Sequence, residues 1–378
     1  MLLFLLILLT ASFLLLSDKS ILPGTTSKLA SDKSSDLLER VIRLIKSDYV
    51  EEPSASKTME GAFKGMVSSL DALSSYLDRE RAVKYNQQKI KNFRDIGVIL
   101  YKRPGLFPQV IGIAENSPAE KAGIKIGDYI SALDNQSTLF MSLVETKLNL
   151  KDEEENQVKL KILRDTQTLE ISVKRALLFE NPISYSLEKG TAGILKVHHI
   201  YPPCVSEIKN KLLPQLKKQN DPLILDLRNC HEGDMEEGRR FINLFLKEEK
   251  IGYFEKRGKT REFLSCPENA ELGKLSLAIW VNQGTTGPAE MVSAVLQDFK
   301  KAKIVGLATP GLAARQEFFS LNDASALLLT SGIFCLNRGE KLWGQGVKPE
   351  EKIEIEDQSQ SSYLKRTLGL FPAISPWK

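Results

Sequence analysis

Apolar residues follow three rhythms along this chain. The first is a continuous run, Leu2 to Leu16 (LLFLLILLTASFLLL), interrupted only by Thr10 and Ser12 among polar residues. A segment apolar all round at the N-terminus reads as a membrane segment rather than an amphipathic core helix, and it is short for a full span unless tilted. It lacks a basic n-region and a small-residue cleavage site, and a polar tract from Ser17 to Ser35 follows. Residues 1–20 are therefore expected to be an uncleaved signal-anchor in preference to a cleaved signal peptide. Either reading exports the rest of the chain, and the first predicts a membrane-anchored protein on the extracytoplasmic (periplasmic) side.

The second rhythm is helical. Leu37, Leu38, Val41, Ile42 and Ile45 recur at three- and four-residue spacing and Gly61 to Leu70 repeats the pattern, so residues 35–92 read as a helical segment. The third rhythm is short apolar runs between turns. Ile96–Leu100, Ile130–Leu133, Val158–Leu163 and Leu169–Val173 predict strands, with a helix near Leu139–Leu150 between them, giving one small domain over residues 93–176. After Asn181-Pro182 a strand (Thr191–His199), a helix (Val205–Lys218) and the apolar run Leu223–Leu227 open a second domain, residues 177–356. An uninterrupted apolar run of that length suits a strand buried on both faces of an α/β sheet. Ser320–Thr330 and Ile333–Leu336 read as closing strands, and the tail, residues 357–378, predicts nothing.

The chemistry concentrates where the apolar run Leu275–Val281 meets a small-residue turn, a helix from Pro288 to about Lys300 and a strand, Ala302–Gly306. A strand, a sharp turn and a helix start together expose unpartnered N–H groups suited to an oxyanion. The frame V-N-x-G-x-x-x-x-x-E, then A-x-L-Q-D, then V-G-x-x-T-x-G and a Gln resembles the catalytic core of the carboxyl-terminal processing, or tail-specific, serine proteases. In that family a Ser three positions before the Glu is the nucleophile, a Lys further on is its general base, and a Gln four residues later orients the Lys. The matching positions here are Gly287, Leu312 and Gln316. Arg228-Asn229-Cys230-His231-Glu232-Gly233 corresponds to the family's Arg-Asn-Asn-Pro-Gly-Gly, whose first Gly offers an oxyanion-hole N–H; that position is Glu232, followed by Gly233.

These departures fall on the reaction centre while the surrounding frame is kept. A Ser–Lys dyad needs a hydroxyl and a desolvated neutral amine, and neither Gly287 nor Leu312 supplies one. A carboxylate at an oxyanion hole opposes the charge that develops there. Thr285, Thr286 and Ser293 are the nearby hydroxyls, and Lys300, Lys301 and Lys303 the nearby amines. The lysines read as a solvated cationic helix end favoured by the helix dipole.

Ser117 to Asp128 (SPAEKAGIKIGD) matches, nearly letter for letter, a run of the PDZ domain that the same family carries. PDZ domains bind a peptide C-terminus by strand addition, with loop N–H groups holding the carboxylate. The loop positions are Arg94, Asp95, Ile96, Gly97 and Val98. Arg94 and Asp95 stand where small residues are usual, and Asp95 would weaken carboxylate binding unless Arg94 turns in and compensates. Upstream, Leu70 to Leu77 (LDALSSYL) resembles the family's Leu-Asp-Pro-His-Ser-x-Tyr run, and Gly346-Val347-Lys348-Pro349-Glu350 its ending.

Composition narrows the remainder. With 378 residues, 42% hydrophobic and a formal charge of +4, the chain has room for two or three globular domains and shows no basic, aromatic-interleaved patch for nucleic acid. Four cysteines and three histidines follow no metal-ligand spacing, and no motif calls for a cofactor. One disulfide among Cys204, Cys230, Cys266 and Cys335 is open in an exported chain, and His231 reads as a loop histidine without a role. The expected fold is mixed α+β: a helical segment, a PDZ domain and an α/β core of the tail-specific protease (ClpP/crotonase-like) type. The expected function is that of a catalytically dead relative, binding unfolded or C-terminal peptide segments. The alternatives are an active endopeptidase with a displaced nucleophile, and a structural or regulatory partner of an active protease relative.

Overall fold

The computed structural model describes residues 33–88, 93–178, 181–188, 192–216 and 222–371. The apolar run Leu2–Leu16 lies outside them. Among the described residues no helix is long and apolar enough to cross a membrane. The chain divides into two units, residues 1–60 and 61–378. In the first, the helix Lys33–Asp48 carries Leu37, Leu38, Val41 and Leu44 as an exposed apolar stripe.

The second unit holds three sheets. The central one runs in the order Glu351–Lys352, Ala302–Gly306, Leu277–Val281, Leu223–Asp226, Ala192–Val197 and Ile183–Glu188. All its pairings are parallel except that of Ile183–Glu188 with Ala192–Val197. Leu223–Asp226 and Leu277–Val281 are buried at every position, as their apolar runs, broken only by Asp226, require of strands covered on both faces. Alternate residues separate the two faces. Leu223, Leu225, Leu277 and Ile279 join the cluster that contains Phe241, Ile242, Met291 and Val295 from the helices Met235–Asn243 and Pro288–Asp298. Ile194, Ile224, Trp280 and Val305 pack on the other face with Tyr363.

Tyr363 belongs to a helix, Gln360–Gly369, in the tail where the sequence predicted nothing. Its ring lies 5.4 Å from Trp280 and 4.6 Å from the Arg228 guanidinium, and its hydroxyl donates to the Val281 carbonyl at 2.9 Å. Trp280 Nε1 donates to Thr367 Oγ1 of the same helix at 2.7 Å.

A second, antiparallel sheet joins Ser75–Leu77, Ala326–Cys335, Glu248–Glu255 and Arg261–Cys266, with Ala314–Ser320 folded as a hairpin onto Ala326–Cys335. This corrects two expectations. Ser320–Thr330 is not one strand but a turn and the first half of a longer one. The segment expected to be helical also contains the strand Ser75–Leu77, whose pairing partner lies some 250 residues away.

The third sheet orders Val98–Tyr101, Gln109–Ile113, Tyr129–Leu133, Gln157–Arg164 and Gln167–Lys174, with Gln136–Ser137 pairing to Tyr129–Leu133. It has its own core of Ile96, Val98, Leu100, Ile130, Leu143 and Leu160. The helix expected from Leu139 begins at Leu143, after a Ser142–Glu145 capping box. Residues 138–141 stay out of it because the carbonyls of Thr138, Leu139 and Met141 accept from buried Lys102 Nζ.

Val205–Lys218 is likewise interrupted. Cys204–Glu207 passes into a π-turn, Ile208–Leu212, before Leu213–Leu216, next to Pro214, which has no N–H to continue the ladder. All four cysteines are free and buried, and burial pushes the thiols of Cys204 and Cys266 up to about 12.

Candidate functional site

The turn after Leu277–Val281 is built by asparagine. Asn282 Oδ1 accepts from the N–H groups of Gly284 and Asn229, and its Nδ2 donates to Asn229 Oδ1 at 3.0 Å. Asn229 Nδ2 in turn donates to the Ile113 carbonyl of the third sheet. The two loops at the C-terminal ends of Leu223–Asp226 and Leu277–Val281 are thereby tied to each other and to the neighbouring domain.

Gly287 is the residue before the helix Pro288–Asp298, with φ 62° and ψ −121°. That backbone strains any residue with a Cβ, yet a Cβ placed there would meet nothing within 4 Å. The geometry is that of a turn that presents a side chain to open space, and this chain has no side chain to present.

Glu290 locks the turn from beneath. It is fully buried and accepts from Gly287 N–H (3.0 Å), Gly311 N–H (2.6 Å), Leu312 N–H (2.6 Å) and Thr309 Oγ1 (2.5 Å). Burial pushes its carboxyl up to about 7, against the pull of these four donors. Glu290 thus brings the Gly287 and Leu312 backbones together, as the sequence frame implied, while Leu312 adds only an apolar side chain, 8% exposed.

Gln316, read as the residue that orients a lysine, donates to the Leu73 carbonyl at 2.7 Å. It holds the 71–74 turn, in which Asp71 Oδ1 accepts from the N–H groups of Leu73 and Ser74.

None of the nearby hydroxyls is held as a nucleophile. Thr285 Oγ1 donates to the Leu227 carbonyl at 2.8 Å, Thr286 Oγ1 to the His231 carbonyl at 3.2 Å, and Ser293 Oγ to the Ala289 carbonyl at 2.8 Å. Thr285 and Ser293 are fully buried. Lys301, read as part of a solvated cationic end, instead turns its Nζ onto the Gly273 carbonyl.

Glu232 has a partner that the sequence did not suggest. Its Oε1 pairs with Nζ of Lys151, which follows the helix Leu143–Leu150 of the third-sheet domain, and lies 3.8 Å from His231 Nε2. Burial would raise the Glu232 carboxyl, but Lys151, His231 and Lys147 outweigh it and hold it well below the usual carboxylate range. Burial likewise pulls the Lys151 ammonium down, and the Glu232 and Asp95 carboxylates outweigh that and hold it above the usual lysine range. His231 is not an idle loop residue: its ring flanks this pair, and Nδ1 lies 3.0 Å from the Asn229 carbonyl. Gly233 bridges to Ile200, where an added Cβ would lie 2.8 Å from the Ile200 carbonyl oxygen.

The loop before Val98–Tyr101 is stitched on both sides. Arg94 pairs through its backbone with Asp152, and Asp95 with Ala176. The Arg94 side chain does not turn in: its Nη1 donates to the Glu153 carbonyl at 2.5 Å. Lys151 takes the compensating position, 3.8 Å from Asp95 Oδ2. Asp95 Oδ1 accepts from Ile96 N–H at 2.6 Å and Gly97 N–H at 3.3 Å. Gly97, at φ 92°, also packs so closely on Ser117 that a Cβ would lie 2.4 Å from its Cβ.

The sequence singled out Gly287, Leu312, Gln316, Glu232 and the Asp95 loop. It missed Lys151, 81 residues from Glu232, for which no local pattern gives a signal. Asn229 and Asn282 lay within the matched motifs, but their pairing appears only once the two strands lie side by side.

Residues 192–353 match the model of peptidase family S41, residues 92–174 that of the PDZ domain, and residues 15–81 that of the N-terminal domain of the activating protease CtpB. The chain is 28% identical to the carboxy-terminal processing protease CtpA of Bacillus subtilis (strain 168), over 94% of this chain and 76% of that one. It is 27% identical to a probable CtpA-like serine protease of Staphylococcus aureus (strain bovine RF122 / ET3-1), over 87% of this chain and 67% of the relative. The photosystem II D1 C-terminal processing protease shares the fold, with a TM-score of 0.71 at 20% identity over 86% of this chain and 90% of that one. The fold is thus that of an S41 serine peptidase with a PDZ domain. Over most of its length the chain is similar to the carboxyl-terminal processing proteases.

Proposed function

We propose that this protein is a member of the family that no longer hydrolyses peptide bonds and works by holding extended peptide segments, anchored to a membrane and facing away from the cytoplasm. What carries the reading is Gly287: a turn shaped to present a nucleophile, with open space beyond it, has no side chain, and the three nearest hydroxyls all donate to backbone carbonyls. Leu312 and the Lys151–Glu232 pair support it from the general-base and oxyanion positions. Peptide holding is supported by the PDZ match and by the edge of Val98–Tyr101, which among the described residues pairs on one side only. Export rests on the apolar run at residues 2–16.

The test is cleavage of β-casein by the purified full-length chain, beside a Thr285→Ala/Thr286→Ala/Ser293→Ala variant. No cleavage by either is expected. Cleavage that the triple variant loses would mean that the nucleophile has moved and the protein is an endopeptidase.

A further inference from the structure

We infer that the PDZ groove of this protein receives a peptide strand that carries no terminal carboxylate, because the Asp95 side chain already occupies the site where that carboxylate would sit. The inference deepens the peptide-holding reading and rests on it.

A strand-adding groove has two parts. The main chain of Val98–Tyr101 offers ladder hydrogen bonds to any sequence, and the loop N–H groups before it offer a nest for an anion. The first part is intact here. Val98–Tyr101 is paired to Gln109–Ile113 alone among the described residues, and the helix Leu143–Leu150 packs beside it, with Leu143 and Leu150 in the same core as Val98 and Leu100. Beyond Tyr101 a cleft of about 430 Å³ lies between Lys102, Phe140 and Met141 on one side and Gly61, Ser68 and Asp71 on the other, with Lys102 Nζ already shared among three carbonyls.

The second part is filled from within. Asp95 Oδ1 takes the N–H groups of Ile96 and Gly97, and Oδ2 faces Lys151, so both carboxylate oxygens stand where a ligand's would. The loop cannot readily swing Asp95 out, because backbone bonds to Asp152 and Ala176 fix Arg94 and Asp95 on either side. Among the described residues the cations around the loop are engaged: Lys151 is shared between Asp95 and Glu232, Lys147 faces the same two carboxylates, and the Arg94 guanidinium is turned to the Glu153 carbonyl. An incoming carboxylate would meet a fixed, half-buried negative charge and spent donors. A segment that adds along Val98–Tyr101 by its main chain and turns away before the loop meets neither obstacle.

The experiment compares fluorescein-labelled decapeptides with apolar final residues, each made as the free acid, as the carboxamide, and embedded within a longer Gly/Ser-flanked peptide. Anisotropy is read with the full-length protein, with Asp95→Gly, and with Asp95→Asn, which keeps an acceptor for the loop N–H groups. Wild type should bind carboxamide and embedded forms at least as tightly as the acid. Asp95→Gly should shift the acid-to-amide affinity ratio by tenfold or more toward the acid, and Asp95→Asn by less. A tenfold preference of wild type for the acid, or an unmoved ratio in Asp95→Gly, would overturn this inference alone. Binding of no peptide by wild type or either variant would overturn the peptide-holding reading and this inference with it.

Discussion

At the scale of single residues, buried Glu290 and the Asn229–Asn282 pair hold a turn whose Gly287 carries no side chain. Restoring Gly287→Ser should cost about 1–3 kcal/mol of backbone strain without a clash, since the strain lies in the φ/ψ pair and the space is open. Adding Leu312→Lys should still leave β-casein uncut, because Glu232 remains at the position proposed for the oxyanion hole. Hydrolysis by that double variant would show that Glu232 is no obstacle. Glu290 makes a separate prediction. Its carboxyl titrates near 7 when folded and near 4.3 when unfolded, so the folded state binds the extra proton between those values. Its contribution to stability is therefore greatest below about pH 4 and is lost as the pH rises toward 7. Glu290→Gln should flatten that part of a melting-temperature profile against pH. It should also lower stability at pH 8 by about 2 kcal/mol or more, since an amide nitrogen cannot accept the loop's N–H groups.

At the scale of elements, the helix Gln360–Gly369 completes the central sheet. Tyr363 fills the face between Trp280 and the Arg228 guanidinium, which is itself held by two contacts to Asp226 (2.8 and 2.6 Å). Tyr363→Ala should cost about 3–5 kcal/mol, as expected for emptying a fully buried aromatic site, and urea unfolding checks it. A wild-type midpoint in that variant would mean the helix is dispensable. This helix also marks where legibility ended. The sheet strands could be read because uninterrupted apolar runs such as Leu223–Leu227 have few other readings. SSYLKRTLG, in contrast, buries only Tyr363 and Thr367, and two positions four apart carry no clear periodic signal. The capping box that shortened Leu139–Leu150 was present in the letters, but the buried Lys102 that draws off the preceding carbonyls was not. The short strand Ser75–Leu77 could not be read either, because its identity comes from a partner near Ala326.

At the scale of the whole second unit, specific contacts join the PDZ domain to the core, among them Lys151 on Glu232, Asn229 on the Ile113 carbonyl and Lys196 on Glu115, with Gly112 packed against Gly284 and Asn229 and Leu148 against Ala326. A Cβ on Gly112 would lie 2.5 Å from Asn229 Oδ1 and 2.9 Å from Ile99 Cδ1. Gly112→Ala should therefore weaken the junction by about 1–3 kcal/mol, seen as faster amide exchange in Asn229, Glu232 and the Val98–Tyr101 strand. Unchanged exchange there would mean the contact yields without cost. Gly287, Leu312 and Glu232 were legible singly, against the family frame. The junction was not, since an ion pair spanning two domains leaves no mark in either segment.

The four buried cysteines give this protein an internal clock. A thiol whose pKa is pushed to about 12 holds almost no thiolate at neutral pH, and the thiolate is the reactive form. Cys204, Cys230 and Cys266 lie beneath the central sheet's helices, and Cys335 on the strand that links the second sheet together. A thiol reagent such as Ellman's should find no target in the native protein and four in urea. The rate at which colour develops without denaturant, once independent of reagent concentration, then measures how often each region opens.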